Sequence, residues 1–458
     1  MRRFLLIVLA LLVAAPGSAA LAATYYVSPS GSDAAAGTLE APWQTVSRVD
    51  RAELAPGDVV LFEGGATFSD ATLMPASSGT AAAPITFGSY GQGLAQIANA
   101  DGAVWIPAGG HDLVFNGLDL TSSNAIVFSS AASGGGVSGI VLQYSLLHDS
   151  PYAGLTNQPQ DGGWSVQGNT FRHLGDSGLI VQARDMTIDG NTIVDTGWNP
   201  ALDYGKHGIY AKAPNLTISN NDISQDTNGS AVSLRFGGAR VVGNAIHDTP
   251  YAVSLFPQDP ANEGTAEIRH NRMWGITGFA FYYAGENTDG RPSGIDVLWT
   301  SNTTQLESAE EAVNVSELTA PRVLVANSVF TGTYGSAYRG CATCREFSND
   351  WFGGRFNMPN GVGDLHLSPG LSSAPALAPT TGSPLIDAGT AAVGGAAGYA
   401  PGCDGFLWHF CGPAPDLGAV EYRGERATQG HMPRVRATQR HLAGPVRSRA
   451  ARRRALRT

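Results

Sequence analysis

Asn191-Thr192-Ile193, Asn221-Asp222-Ile223 and Asn244-Ala245-Ile246 repeat one phrase, an asparagine followed two places on by an apolar or β-branched residue. Working outward, the phrase extends upstream to Asn169 with Phe171. Downstream it extends to Asn271 with Met273, Asn302 with Thr304, and Asn327 with Val329. The steps between the seven asparagines are 22, 30, 23, 27, 31 and 25 residues. A period that drifts without breaking belongs to a solenoid. Segments such as Leu216-Thr217-Ile218 and Ala231-Val232-Ser233-Leu234 read as short strands, and no helical period lies between them. One turn is too thin to bury its own apolar face, so turns must stack. The pattern predicts an all-β chain, a right-handed parallel β-helix. The asparagines are read as structural, because Asn tolerates left-handed backbone at a sharp turn and stacked amides bond from coil to coil.

The rest of the composition fits that frame. Gly is 58 of 458 residues, as expected where every coil needs tight turns. Residues 1–22 have the layout of a secretory signal: Arg2 and Arg3, the apolar run from Phe4 to Ala15, then Ala20-Leu21-Ala22. That run is short for a membrane span and no later segment qualifies, so the expectation is an exported, soluble monomer. Cys341 with Cys344 and Cys403 with Cys411 then read as two local disulfides. The tail, residues 425–458, holds ten Arg and one Glu and is expected to be disordered. With that tail and Arg2 and Arg3 set aside, the body carries a net charge of −21. An acidic body argues against nucleic-acid binding.

Residues 23–75 read as an N-terminal cap, with Trp43 to Val49 as a short helix and Val59 to Phe62 as a strand after the turn Pro56-Gly57-Asp58. A cap is physically required, since an open solenoid end exposes apolar cross-section and unpaired edges. Coils are expected over residues 76–355 and a loop-rich closing segment over 356–424.

Tyr25-Tyr26-Val27-Ser28-Pro29, Gly31-Ser32-Asp33, Pro42-Trp43 and Pro56-Gly57-Asp58 resemble the opening of secreted right-handed parallel β-helix proteins of the pectate-lyase-like superfold. Gly382-Ser383-Pro384-Leu385-Ile386-Asp387-Ala388-Gly389 and Pro415-Asp416-Leu417-Gly418-Ala419 resemble their close. The resemblance spans about residues 24–424. It is specific for fold and weak for chemistry, since the group includes lyases, hydrolases, epimerases and adhesins.

Lysine points to a site. The chain has only Lys206 and Lys212, both in Asp203-Tyr204-Gly205-Lys206-His207-Gly208-Ile209-Tyr210-Ala211-Lys212. Aligned by apolar cores, Gly178–Gln182 stacks on Gly208–Lys212, then Ala231–Arg235, then Ala252–Phe256. Lys212 and Arg235 then share a column on adjacent coils, about 4.8 Å apart. Two cations that close favour the neutral amine that a lysine base needs. Lys206 lies outside this column and serves as its matched control.

The pair resembles the catalytic Lys and Arg of the chondroitinase B and alginate lyase family. There a Lys is followed, one strand on, by Leu-Arg-x-Gly, here Leu234-Arg235-Phe236-Gly237. The resemblance implies Lys212 as the base at C5 of a uronic acid, with Arg235 at the leaving oxygen. The family's calcium-binding carboxylates are replaced by Gly205 and His207, so a calcium cofactor is not carried over, and the metal is left open. His207 is expected to donate to the uronate carboxylate or to act as an acid/base group near neutral pH. Asp176, Asp203, Tyr204, Tyr210 and Phe256 are the expected substrate contacts.

Aspartates offer a rival chemistry. Asp176, Asp195, Asp203, Asp226 and Asp248 follow the Asn phrases, and two coils of rise approach the carboxyl gap of about 6.5–9.5 Å that an inverting hydrolase needs. Asp in a turn also caps its own backbone. The long loops Thr196–Tyr204, Pro257–Gly264 and Gly285–Gly294 mark the expected cleft wall, with Trp198, Tyr251, Tyr282 and Tyr283 beside them. The expected function is action on an extracellular polysaccharide, most concretely uronate β-elimination. The rivals are a glycoside hydrolase and a non-catalytic glycan-binding adhesin.

Overall fold

The structure is a computed structural model that describes residues 22–226, 228–257, 263–284, 294–315, 322–340, 344–391, 400–401, 409–410 and 412–423. It is a right-handed parallel β-helix. The first face is a sheet of thirteen strands, each parallel to the next, running from Thr24–Val27 through Val59–Glu63 and Ile85–Tyr90 up to Arg345–Phe347. Each first-face strand turns into a second-face strand, such as Leu146–Ser150, Thr170–Leu174, Thr192–Thr196 or Asp222–Asp226. A short third-face strand then closes the coil: Leu155–Thr156, Leu179–Val181, Ile209–Ala211 and Ser230–Leu234. In the upper coils the second and third faces merge into long strands, Ala245–Leu255, Arg272–Tyr283, Thr303–Val315 and Val329–Gly340.

The corner between the first two faces explains the asparagine column, and it divides one expected role between two residues. The left-handed residue is the one before the asparagine: Gly168, Gly190, Asn220, Gly243, His270 and Ser301 have φ of 51–70°. The asparagine itself points inward and stacks. Asn221 Oδ1 accepts from Asn191 N–H and Asn191 Nδ2, both at 2.9 Å, and Asn221 Nδ2 donates to Ile188 O at 3.0 Å. Asn244, Asn271 and Asn302 repeat this, each fully buried. The ladder satisfies the backbone groups that a tight corner strips of partners.

Asn327 is a correction. It is the left-handed residue of its corner, φ 49°. The ladder continues through Ser328 Oγ, which accepts from Asn302 N–H, and then through Asn349. The core residue of that coil is accordingly Phe330, paired with Thr304, and not Val329. Freed from the ladder, the Asn327 amide holds the closing segment, exchanging two 2.9 Å bonds with Thr390.

The core is one continuous column. Ile188, Ile218, Val241 and Ile268 come from the first face, and Ile193, Ile223, Ile246 and Met273 from the second, all fully buried. At the N-terminal end a helix covers this column. It spans Val46–Asp50, slightly later than expected, because the Thr45 side chain accepts from Arg48 N–H and sets the N-cap there. Its Val46 and Val49 are buried on the exposed cross-section, beside Trp43, whose ring stacks on Tyr25 at 4.5 Å. A second, small cluster of Val329, Leu385 and Leu417 docks the closing segment. The signal-like segment, the basic tail and Cys341, Cys403 and Cys411 lie outside the described residues, except for Ala22.

Candidate active site

The third face has the register that the sequence alignment expects. Leu179 pairs with Ile209, then Val232, then Val253, while Val181, Ala211, Leu234 and Leu255 form the next column. One residue further, Lys212 N–H donates to Val181 O at 2.7 Å, Arg235 N–H to Ala211 O at 2.9 Å and Phe256 N–H to Leu234 O at 2.9 Å. Gln182, Lys212, Arg235 and Phe256 therefore rise in one column. Ile209, Ala211, Val232 and Leu234 face the core, so Tyr210, Lys212 and Arg235 alternate to the outside.

Both cations converge on one ring. Lys212 Nζ lies 5.0 Å from the Tyr210 centroid and Arg235 Cζ 4.8 Å from it. Arg235 also lies 4.7 Å from the Phe256 ring and donates from Nη1 to Ser233 Oγ at 3.2 Å. The guanidinium is thus fixed between two aromatic faces, with only 6% of the residue exposed. Such contacts are worth about 0.5–2 kcal/mol each and favour one orientation.

His207 completes the cluster, its ring 4.9 Å from Tyr210. Its Nδ1 accepts from Ser230 N–H at 3.0 Å, which leaves the ring proton on Nε2. Burial, and then the Arg235 charge, push its pKa down to about 3. This corrects one expectation: His207 is neutral throughout the physiological range, so it can donate from Nε2–H but does not titrate near pH 7.

The coil below supplies the acid. Asp176 is buried, and its Oδ1 accepts from Ser177 N–H at 2.6 Å and Ser177 Oγ at 3.1 Å. Its Oδ2 accepts from Tyr204 Oη at 2.6 Å. Desolvation, then this bond, raise the Tyr204 phenol above its ordinary range. Ser177 Oγ also accepts from His207 N–H at 3.0 Å, linking the two coils. Asp203 is exposed in the loop, and among the described residues no hydrogen bond joins it to this cluster.

Lys206 is a second correction. It is no solvated control but 3% exposed, with Nζ donating to Asn199 O at 2.6 Å. It staples the loop that carries Trp198, whose ring stacks on His173 at 5.2 Å. The positions that the resemblance aligns with calcium-binding carboxylates hold no carboxylate here. Gly205 offers no side chain, Lys206 brings a cation, and His207 Nδ1 is already occupied.

The remaining aspartates are dispersed. Asp195 and Asp248 occupy one left-handed corner two coils apart, φ 57° and 50°, and each is bound to a histidine, His173 at 2.7 Å and His247 at 2.8 Å. Asp226 is in the interior, its carboxyl bonded to Thr196 Oγ1, and burial raises its pKa to about 7.

Two Asp–His–Asp clamps escaped the sequence reading. His148 lies between Asp119 and Asp149, both at 2.7 Å, and His247 between Asp222 at 2.9 Å and Asp248 at 2.8 Å. The recurring His-Asp dipeptide at 111, 148 and 247 was the available signal. His247 stacks on Trp274 at 4.4 Å beside a shallow groove of about 440 Å³ that Arg272 and Pro375 also line.

The coiled parallel solenoid has the architecture of right-handed β-helix proteins, a pectate lyase among them. Residues 153–306, about a third of the chain, match the family described as the right handed beta helix region. A stretch of 73 residues is 48% identical to a lacto-N-biosidase of Bifidobacterium longum, covering 15% of this chain and 5% of that one. A 73-residue stretch is 42% identical to pectate lyase PEL9 of Emericella nidulans, covering 16% of this chain and 17% of that one. The chain therefore matches only a small part of the curated relatives' length. A crystal structure of pectate lyase Pel9A superposes with a TM-score of 0.56 at 14% identity, covering 88% of this chain and 96% of that one. At that identity the likeness is one of fold.

Proposed function

We propose that this protein is an exported carbohydrate-active enzyme that cleaves an extracellular polysaccharide by β-elimination at a uronic acid. The observation that carries the reading is the placement of Lys212 and Arg235 on adjacent coils, both against the outward Tyr210 ring. In this reading Lys212 Nζ takes the C5 proton of the uronate. The electron pair left at C5 forms the C4–C5 double bond as the C4–oxygen bond breaks. Arg235 stabilises the departing oxygen, that oxygen takes a proton from water, and Lys212 returns the C5 proton to solvent. His207 donates from Nε2–H to the uronate carboxylate, a role that suits a ring held neutral. Tyr210 and Phe256 hold the cations, and Tyr204 with Asp176 lines the coil below.

The reading is supported by the 42% identity to a pectate lyase over 73 residues. Glycoside hydrolysis is the second reading, favoured by the 48% identity to a lacto-N-biosidase over 73 residues, with Asp176 and Asp203 the acids near the cleft. A panel of alginate, pectate, chondroitin and neutral glycans separates the two. A lyase yields an unsaturated sugar absorbing in the near ultraviolet, and a hydrolase yields reducing ends alone. Binding to a glycan without either product supports an adhesin.

A further inference from the structure

Above the cation pair the outward surface changes character. Phe256 follows Arg235 in its column, and Tyr282 stands one coil higher in the column of Tyr210 and Ser254. Phe256 meets Tyr282 edge-on at 5.2 Å, Tyr282 stacks with Phe279 at 5.3 Å, and Phe279 stacks with Tyr251 at 5.5 Å. All four rings are half-buried, so each keeps part of its surface toward solvent. From Tyr210 to Tyr282 is three coils, about 14 Å at the strand spacing of ~4.8 Å. That is a track long enough for consecutive pyranose rings, parallel to the helix axis and continuous with Lys212 and Arg235.

The charge along the track is uneven. Lys212 and Arg235 stand at its lower end. Among the described residues, the columns above them hold no further cation before Arg339, two coils beyond Tyr282 and within 4.0 Å of Glu311. A homopolymer of uronic acid carries a carboxylate on every sugar. Its second and third carboxylates would lie over the rings without a cation to offset their desolvation. A neutral pyranose presents apolar C–H faces to aromatic rings and carries no such penalty.

We infer that Tyr251, Phe256, Phe279 and Tyr282 form a binding track for neutral sugars, so that the substrate is a heteropolymer in which neutral sugars flank the uronate held at Lys212 and Arg235. This rests on the proposed uronate chemistry for its lower end, but the track is testable without turnover. The test is affinity electrophoresis of Lys212→Ala through gels containing gellan, xanthan, polygalacturonate or alginate. The double variants Lys212→Ala/Phe279→Leu and Lys212→Ala/Tyr282→Ala are run alongside, with circular dichroism verifying the fold. The inference expects retardation by gellan or xanthan about tenfold stronger than by either homopolymer, and a loss of about tenfold on ring substitution. It is overturned by stronger retardation in the homopolymers, by retardation in none of the four, or by ring variants that fold and bind like their parent. Ring-dependent binding without cleavage of any polymer by the wild type would overturn the lyase reading and leave the track standing. Cleavage of a homopolymer at the wild-type rate by folded single variants Phe279→Leu and Tyr282→Ala, which keep Lys212, would do the reverse.

Discussion

Replacing Asn221 with Ala removes one rung of the inner ladder, and the structure supports a count of the loss. The Asn221 side chain accepts from Asn191 N–H and Asn191 Nδ2, and donates to Ile188 O and Asn244 Oδ1. These are four buried bonds, none with water at hand to replace it. At ~1 kcal/mol for each neutral bond the substitution should cost about 4 kcal/mol. Asn220 is the matched comparison. It is one residue away, exposed, and left-handed at φ 55°, a conformation that glycine adopts freely. Asn220→Gly should therefore stay within about 0.5 kcal/mol of wild type. Equilibrium urea unfolding, followed by tryptophan fluorescence and circular dichroism, measures both. A loss below ~1 kcal/mol for Asn221→Ala, or equal losses for the two variants, would refute the division of turn and ladder between adjacent residues.

Asp226 predicts a pH dependence. Burial raises its folded value from 3.8 to about 7, so the folded state binds the proton more tightly than the unfolded one. Wild-type stability should fall as pH rises from about 4 to 7, by ~1.4 kcal/mol per unit of separation, and Asp226→Asn should lose this dependence and be the more stable protein at pH 8. Heteronuclear NMR should find His207 as the Nε2–H tautomer with no titration between pH 5 and 8; a midpoint near 6.5 would contradict its placement. Lys206→Ala leaves Asn199 O without its ammonium donor, so limited proteolysis should cut faster within residues 197–205, while an unchanged digest would show that the staple is dispensable.

The periodic features were legible and the local ones were not. The third-face register could be read because its apolar residues alternate with period two, and a slip of one would have put Ile209 and Val232 outside. The slip at Asn327 was invisible for a definite reason: Ser328 offers the same acceptor as an asparagine, so residue type does not mark the ladder position. Lys206 and Lys212 have the same charge and lie in one coil, yet one is buried and one stands half-exposed beside the outward Tyr210 ring. That difference comes from how the loop of Gly197 to Gly205 folds back, which no periodicity encodes. For His207 the sequence indicated an imidazole near the cations but not its burial, and burial decides whether it titrates. The Asp–His–Asp clamps join residues 29 and 25 positions apart, so only the coil rise brings them together.

The central claim is that Lys212 and Arg235 perform a β-elimination. The direct measurement is the near-ultraviolet absorbance of products from the wild type, Lys212→Ala and Arg235→Ala on uronate-containing polymers. Arg322→Ala is the control, an exposed cation on the first face paired with Asp296. The account predicts an unsaturated product from the wild type and from Arg322→Ala. It predicts about a hundredfold or greater loss in each site variant with the fold intact, the scale of a positioned acid or base. Reducing ends formed without absorbance, or site variants as active as Arg322→Ala, would contradict it.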